Sequence, residues 1–310
     1  MRWKTRAIAM VVVVVLMAVS FVIPVSAISD EEVAAPSAIL MEPNTGKILY
    51  EKNANELRPC ASITKVMTLL LVMEAIDSGK ISLDDQVTAS AHAASMGGSD
   101  IWLKEGETMS VNDLIKATVI MSANDAAVVL AEHVYGTEDE FVKQMNIRAK
   151  QLGMNDTTFK NCNGLDEDGH LTTAHDVALM SAELIKHEKI FDYTLTWMDY
   201  VRDGETQLVN TNKLIRSYKG ITGLKTGTTS QAGSCISATA KRDNLSLVAV
   251  VLGCSTTDER FISASTLLDY GFANFSFASL QMPELGTVPV TNGIQGEVQA
   301  ECTATAEVLI

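Results

Sequence analysis

A helix that is apolar on nearly every side cannot lie on a protein surface, and residues 62–77, SITKVMTLLLVMEAID, predict such a helix. Val66, Leu69, Leu70, Met73 and Ile76 recur at helical spacing, while Met67, Leu71 and Val72 cover much of the remaining circumference. Ser62 begins the segment and Gly79 stops it. The rest of the chain must wrap around this element. With 310 residues, 47% of them hydrophobic, there is enough core for one large domain and a smaller second one.

SAILMEP and KILYEKN flank the turn NTG and predict a hairpin near the start of the mature chain. Three further strands come late: GLKTGTT, GSCISATAKR and LSLVAVVLGC, the last two joined at Asp243 and Asn244. LSLVAVVL is apolar at nearly every place, which predicts a central strand covered on both faces. Between these sets the chain is helical. Ser110 with Asp113 caps VNDLIKATVIM, SAND interrupts before AAVVLAEHVYG, FVKQMNIRAKQLG closes at Gly153, and Thr173 with Asp176 caps VALMSAELIKH. STTDERFISASTLLDYGFANF supplies a closing helix. Strands at both ends around an inserted helical cluster predict an α+β fold, an antiparallel sheet flanked by helices whose early and late strands come together. Residues 276–310 offer strand patterning only at Val288, Val290, Val298 and TATAEVLI. They are too few to bury a core and are expected to be the start of an incomplete β-rich C-terminal domain.

At the other end, MRWKTR, AIAMVVVVVLMAVSFVI and PVSA form a basic end, an apolar run and a site with small residues at Val25 and Ala27. Residues 1–27 are therefore expected to be a signal peptide, and the protein to be exported. An uncleaved anchor is the alternative, but the run from Ala7 to Ile23 is slightly shorter than the ~18 to 20 residues that span a bilayer. Formal net charge is −14, and losing Arg2, Lys4 and Arg6 with the signal takes it to −17. Such an acidic chain argues against nucleic acid as a partner. Cys60, Cys162, Cys235, Cys254 and Cys302 show no CxxC spacing, so neither a zinc site nor a dense disulfide framework is indicated. Cys60 reads as a small buried hydrophobe rather than a nucleophile.

One lysine stands in the apolar helix. Three residues apart on a helix, Ser62 and Lys65 share a face with their Cβ atoms roughly 5 to 6 Å apart, so the amine reaches the hydroxyl. A hydroxyl becomes a nucleophile when a base takes its proton, and an ammonium ion cannot do so. The pair works only if Lys65 is neutral. Apolar burial and the positive end of the helix macrodipole both push its pKa down. Moving it from ~10.4 to near 7 takes about 4 to 5 kcal/mol, within the range of buried lysines. The competing reading is a lysine whose stem packs while its head reaches water, and the SxxK tetrad alone does not exclude it.

Two other elements bear on this choice. Ser122, Ala123 and Asn124 break a helical pattern where a hydroxyl could relay a proton and an amide could hold a carbonyl, with helix capping as the alternative. SVN at Ser110 has the same pattern and is assigned to capping. Lys225, Thr226, Gly227 and Thr228 lie on a predicted, central-looking strand between Gly223 and Gly233. A cation, hydroxyls and a missing side chain there let a ligand lie along the backbone, its carboxylate at Lys225 and the threonines. A second ammonium nearby also presses Lys65 toward neutrality.

SITK, SAN and KTG in this order resemble the penicillin-recognising serine enzymes. RPCASITKVMTLLL, MSANDAA, GHLTTAHDVALM and GLKTGTTSQAGSC resemble, more narrowly, the low-molecular-mass penicillin-binding proteins, the serine-type D-alanyl-D-alanine carboxypeptidases. The resemblance implies a β-lactamase/transpeptidase-like fold, with residues 28–275 as the catalytic domain. It implies Ser62 as the nucleophile on the bond between the last two D-alanines of a peptidoglycan stem peptide, and Lys65 as its base. Ser122 and Asn124 would shuttle a proton and orient the peptide, and Lys225, Thr226, Gly227 and Thr228 would bind its carboxylate end. The N–H groups of Ser62 and Thr228 would form the oxyanion hole. It implies no metal and no organic cofactor, and β-lactams as covalent inhibitors. Family members usually continue into a complete β-rich domain and a membrane-fixing helix, whereas this chain ends in Val308, Leu309 and Ile310. Truncation is expected there, and membrane association is not carried over.

Four alternatives are weighed. A class A β-lactamase usually has aspartate where this chain has Ala123 and a glutamate in an ExxLN setting, in place of which the corresponding region reads DTTFKNCNGLDED. A transpeptidase makes the same acyl-enzyme and differs only in the second acceptor. A non-catalytic binder of wall peptides would not need the complete set of chemical groups. A metal module on DEDGH, with His170 and His175, lacks the spacing of an EF-hand or of HExxH, so His170 reads as loop structure and His175 as a first-turn helix residue.

Overall fold

The computed structural model describes residues 28–280, 287–291, 297–299 and 306–310; the expected signal peptide and Cys302 lie outside them. The NTG turn folds β1 (Ser37–Glu42) and β2 (Lys47–Lys52) into the expected hairpin. Buried Glu42 holds the turn, accepting hydrogen bonds from the backbone N–H groups of Asn44 and Thr45 and from the Thr45 hydroxyl. The late strands β3 (Ile221–Thr229), β4 (Gly233–Arg242) and β5 (Leu245–Cys254) complete one antiparallel sheet in the order β2-β1-β5-β4-β3. First and last strands of the domain thus meet at β1 and β5.

LSLVAVVL is the middle strand, and its alternation divides the interior in two. Val248, Val250 and Leu252 point into a core shared with the helical cluster. Leu247, Ala249 and Val251 point into a second core. That core is covered by α6 (Thr257–Asn274), whose start carries a capping box between Thr256 and Glu259. The cluster holds α1 (Lys65–Asp77), α2 (Val111–Lys116), α3 (Asn124–Tyr135), α4 (Glu138–Gln151) and α5 (Ala174–Leu184). Every residue of α1 from Lys65 to Met73 is buried. The expected caps form: Ser110 accepts from Asp113 N at 3.1 Å and Thr173 from Asp176 N at 3.0 Å.

Three local expectations change. Ser62 does not start the α-helix but sits in a 3₁₀ turn, Ala61–Thr64, entered through a left-handed Ala61 at φ 51°. The Thr64 hydroxyl donates to Ala61 O at 2.9 Å and helps hold this tighter winding. VNDLIKATVIM is not one helix, because α2 widens into a π turn, Ala117–Met121, with the Thr118 hydroxyl bonded back to Leu114 O. The KTGT strand is not central. β3 is the sheet edge, where Lys225, Thr226 and Gly227 are nonetheless buried: Gly227 lies against the turn before α1 and under Arg260, and Thr226 meets Thr211.

Beyond α6, Phe277–Leu280 pairs with Ala306–Leu309 and Thr287–Pro289 with Glu297–Gln299, both antiparallel. Among the described residues no helix is long and apolar enough to cross a membrane.

Candidate active site

In a 3₁₀ turn residues three apart eclipse, so the turn sets Ser62 directly against Lys65. Lys65 Nζ lies 3.1 Å from Ser62 Oγ, 2.6 Å from Asn124 Oδ1 and 2.6 Å from Asn163 O. The Asn124 amide is oriented by donation from Nδ2 to Gly97 O at 2.6 Å, so its oxygen faces the lysine as an acceptor only. Two acceptors at short range match the two N–H bonds of a neutral amine. The lone pair is then left for the longest contact, the Ser62 hydroxyl.

Lys65 has no exposed surface, and burial brings its pKa down to about 7 against the opposing pull of Asp100 and Asp125. Lys225 is also buried, with Nζ donating to Thr226 O at 2.9 Å. Burial first, then Lys65 and Arg260, hold the Lys225 pKa well below the usual lysine range. The repulsion between two ammonium groups expected at Lys65 is therefore felt mainly at Lys225, while burial dominates at Lys65.

Ser122 ends the π turn in the left-handed region, φ 66°, and the chain reverses there so that Asn124, the first residue of α3, faces Lys65. Both are nearly buried. Asn124 N donates to Ser99 O at 2.6 Å, which ties the 97–100 loop to the same place. Gly98, legible in the sequence only as a breaker, faces Asn124: a Cβ there would come within 2.9 Å of Nδ2.

On β3, the Thr226 hydroxyl meets that of Thr211 at 2.7 Å, and Thr228 is exposed. Arg260 Nη1 donates to Thr228 Oγ1 at 2.8 Å and to Gly227 O at 3.1 Å. A Cβ on Gly227 would lie 2.8 Å from Cys60 O and 2.9 Å from Ser62 N, so this glycine lets the strand backbone touch the turn that holds the serine. Gly227→Ala should cost about 1 to 3 kcal/mol of stability through overpacking. Because the clash is with backbone of the serine turn, acylation by a labelled β-lactam should fall more than thermal stability does. Unchanged acylation kinetics in this variant would show that the close approach is unimportant.

The structure brings Ser62, Lys65 and Asn124 into direct contact and sets Gly227 against the serine turn. Sequence reasoning missed Asn163 O, Thr211 and Arg260. For Arg260 one signal existed: a cation near the start of α6 opposes the helix macrodipole, an arrangement that asks for a partner elsewhere. His170 uses both ring nitrogens within the fold, Nε2 toward Thr64 Oγ1 at 2.8 Å and Nδ1 accepting from Lys160 N at 3.3 Å. Burial lowers its pKa to about 4. Asp166 of DEDGH accepts from the Thr229 hydroxyl at 2.6 Å, tying that loop to the end of β3. Cys60, Cys162, Cys235 and Cys254 are buried free thiols.

A five-stranded antiparallel sheet with a buried lysine at the start of its central helix and a serine in the turn just before it is the architecture of the β-lactamase/transpeptidase-like enzymes. Residues 24–256 match the family model of the S11 peptidases, the D-alanyl-D-alanine carboxypeptidases. The D-alanyl-D-alanine carboxypeptidase DacF of Bacillus subtilis is 50% identical over 244 residues, covering 78% of this chain and 63% of the relative. DacC of Escherichia coli is 37% identical over 273 residues, 84% of this chain and 68% of that one. Penicillin-binding protein 5 of Haemophilus influenzae superposes with a TM-score of 0.81 at 30% identity, covering 92% of this chain and 84% of the other. The chain belongs to the D-alanyl-D-alanine carboxypeptidase family. It spans 63% and 68% of the length of the two curated relatives.

Proposed function

We propose that the protein is a serine D-Ala-D-Ala carboxypeptidase that removes the terminal D-alanine of peptidoglycan stem pentapeptides. The observation that carries this reading is the buried Lys65 amine 3.1 Å from Ser62 Oγ, beside two shorter acceptors that in its neutral form take both N–H bonds and leave the lone pair to the hydroxyl. Lys65 takes the hydroxyl proton as Oγ attacks the penultimate carbonyl, and the tetrahedral oxygen takes hydrogen bonds from the N–H groups of Ser62 and Thr228. Ser122 relays the proton taken by Lys65 to the leaving amine as the C–N bond breaks, D-alanine departs, and water then gives Lys65 a proton as it attacks the acyl ester, that proton returning to Ser62 Oγ as the ester bond breaks. The open edge of β3 suits a peptide added as an extended strand. Arg260, which donates to Gly227 O and Thr228 Oγ1, supplies the positive charge at the end of that strand, and the Lys225 amine with the Thr226 and Thr228 hydroxyls adds hydrogen-bonding groups for a terminal carboxylate. The same charge and edge suit a β-lactam carboxylate, and a homologous Listeria monocytogenes protein has been solved with ampicillin bound. Residues 28–275 act as the catalytic domain. The basic end, apolar run and small-residue site of residues 1–27 support export to where such wall peptides are found.

Release of D-alanine from a D-Ala-D-Ala peptide should far outrun hydrolysis of penicillin, and the reverse ranking would support the β-lactamase alternative. Arg260→Gln should lower kcat/KM for that peptide about 10- to 100-fold, the effect of losing a charge-assisted hydrogen bond. A peptide ending in an amide should be nearly indifferent to the substitution. Equal losses on the two peptides would remove Arg260 from carboxylate recognition.

A further inference from the structure

Trp102 is 71% exposed and adopts a left-handed backbone, φ 55°. For a bulky side chain this conformation is an outlier costing about 1 to 3 kcal/mol, and it persists only where its surroundings over-determine it. Here they do. The buried Asp125 carboxylate accepts from Ile101 N at 3.2 Å and from Leu103 N at 2.9 Å, and Arg202 Nη1 donates to Ile101 O at 2.9 Å. Ile101 and Leu103 are buried on either side, so the backbone is clamped and the indole is turned out to solvent. Beside it is an open hollow of about 640 Å³ lined by Trp102, Lys104, Glu105, Glu107 and Arg202.

Asp125 follows Asn124 directly, so α3 holds both the Lys65 contact and the display of Trp102. Gly98, which faces Asn124, is four residues from Trp102, a reach of at most roughly 14 Å. A stem pentapeptide cut at its last bond has its sugar attached four residues upstream, also roughly 14 Å away when extended. An indole face offers apolar surface to the C–H groups of a sugar ring, and the surrounding charged groups of both signs suit its hydroxyl and acetamido groups. Two glutamates in the lining of a strongly acidic chain disfavour an anionic bilayer.

We propose that Trp102 and this hollow form a subsite for the N-acetylated sugars of the glycan strand that carries the stem peptide. The ligand's identity rests on the peptidoglycan reading of the active site. The test is titration of the full chain with a peptide-free, N-acetylated glycan tetrasaccharide, following the indole N–H resonance of Trp102 by NMR. That resonance should shift. Trp102→Gly, which relieves the left-handed strain and should keep or raise thermal stability, should weaken glycan binding about fivefold or more, and Trp102→Phe should restore most of it. An unperturbed indole, equal binding by Trp102→Gly, or a response to phosphatidylglycerol vesicles in place of glycan would overturn the proposal. D-alanine release without glycan binding would defeat only this inference, and glycan binding without D-alanine release would defeat only the carboxypeptidase reading.

Discussion

Ser62→Ala should lower kcat for D-alanine release about a millionfold, the scale seen when the nucleophile of a serine hydrolase is removed. Labelled penicillin should leave no adduct on the tryptic peptide spanning residue 62. The fold should be nearly unaffected, because the Ser62 hydroxyl is hydrogen-bonded to Lys65 Nζ while the turn itself is held by Thr64 and the left-handed Ala61. Thermal denaturation beside the D-alanine assay separates the two effects. Residual release within a factor of ten of the parent would mean that another group attacks the peptide.

Lys65 should set the acid side of the pH–rate profile. Its pKa is down to about 7 because of burial, so kcat/KM should rise tenfold per pH unit below that value and level off above it. Lys65→Met should lower kcat by about 100- to 10,000-fold, the usual range for a positioned base. Stability should move in a way that tests the same pKa independently. Between about 7 and the ordinary value of 10.5 the unfolded chain holds a proton that the folded chain has released. Raising the pH through that window therefore adds a Lys65 contribution of about 1.4 kcal/mol per unit, and roughly 5 kcal/mol across it, to the stability of the parent. Lys65→Met should lack this contribution while keeping those of Lys225 and the buried thiols, so the difference between the two proteins isolates it. Denaturant unfolding of both proteins from pH 6 to pH 10 checks the sign: a parent with no excess slope has an ordinary lysine, and the neutral-amine mechanism then fails.

Much of the framework was legible because local patterns carry it. The apolar circumference of α1, the turn residues of the β1–β2 hairpin, the caps at Ser110 and Thr173 and the unbroken apolar run of β5 each depend on residues close in sequence. Ser62 against Lys65 was readable for the same reason, although the winding proved to be 3₁₀ rather than α. The edge position of β3 was not readable, since its buried residues look like those of a central strand. The cover on Gly227 comes from a turn some 165 residues earlier in the chain and from an arginine on a later helix.

The amino-acid sequence by itself determined the family, the α+β architecture and the residue types able to do the chemistry, because spacing and side-chain identity are written in its letters. Only tertiary structure decided how they act together. The second acceptor on Lys65 is the carbonyl of Asn163, and every residue has a carbonyl. The lowered pKa of that lysine comes from being enclosed, and the outward turn of Trp102 comes from Asp125 and Arg202 gripping the backbone beside it. Burial and backbone contacts between distant segments depend on where the chain lies in space, so they became definite only once the helices and the edge of the sheet had packed around α1.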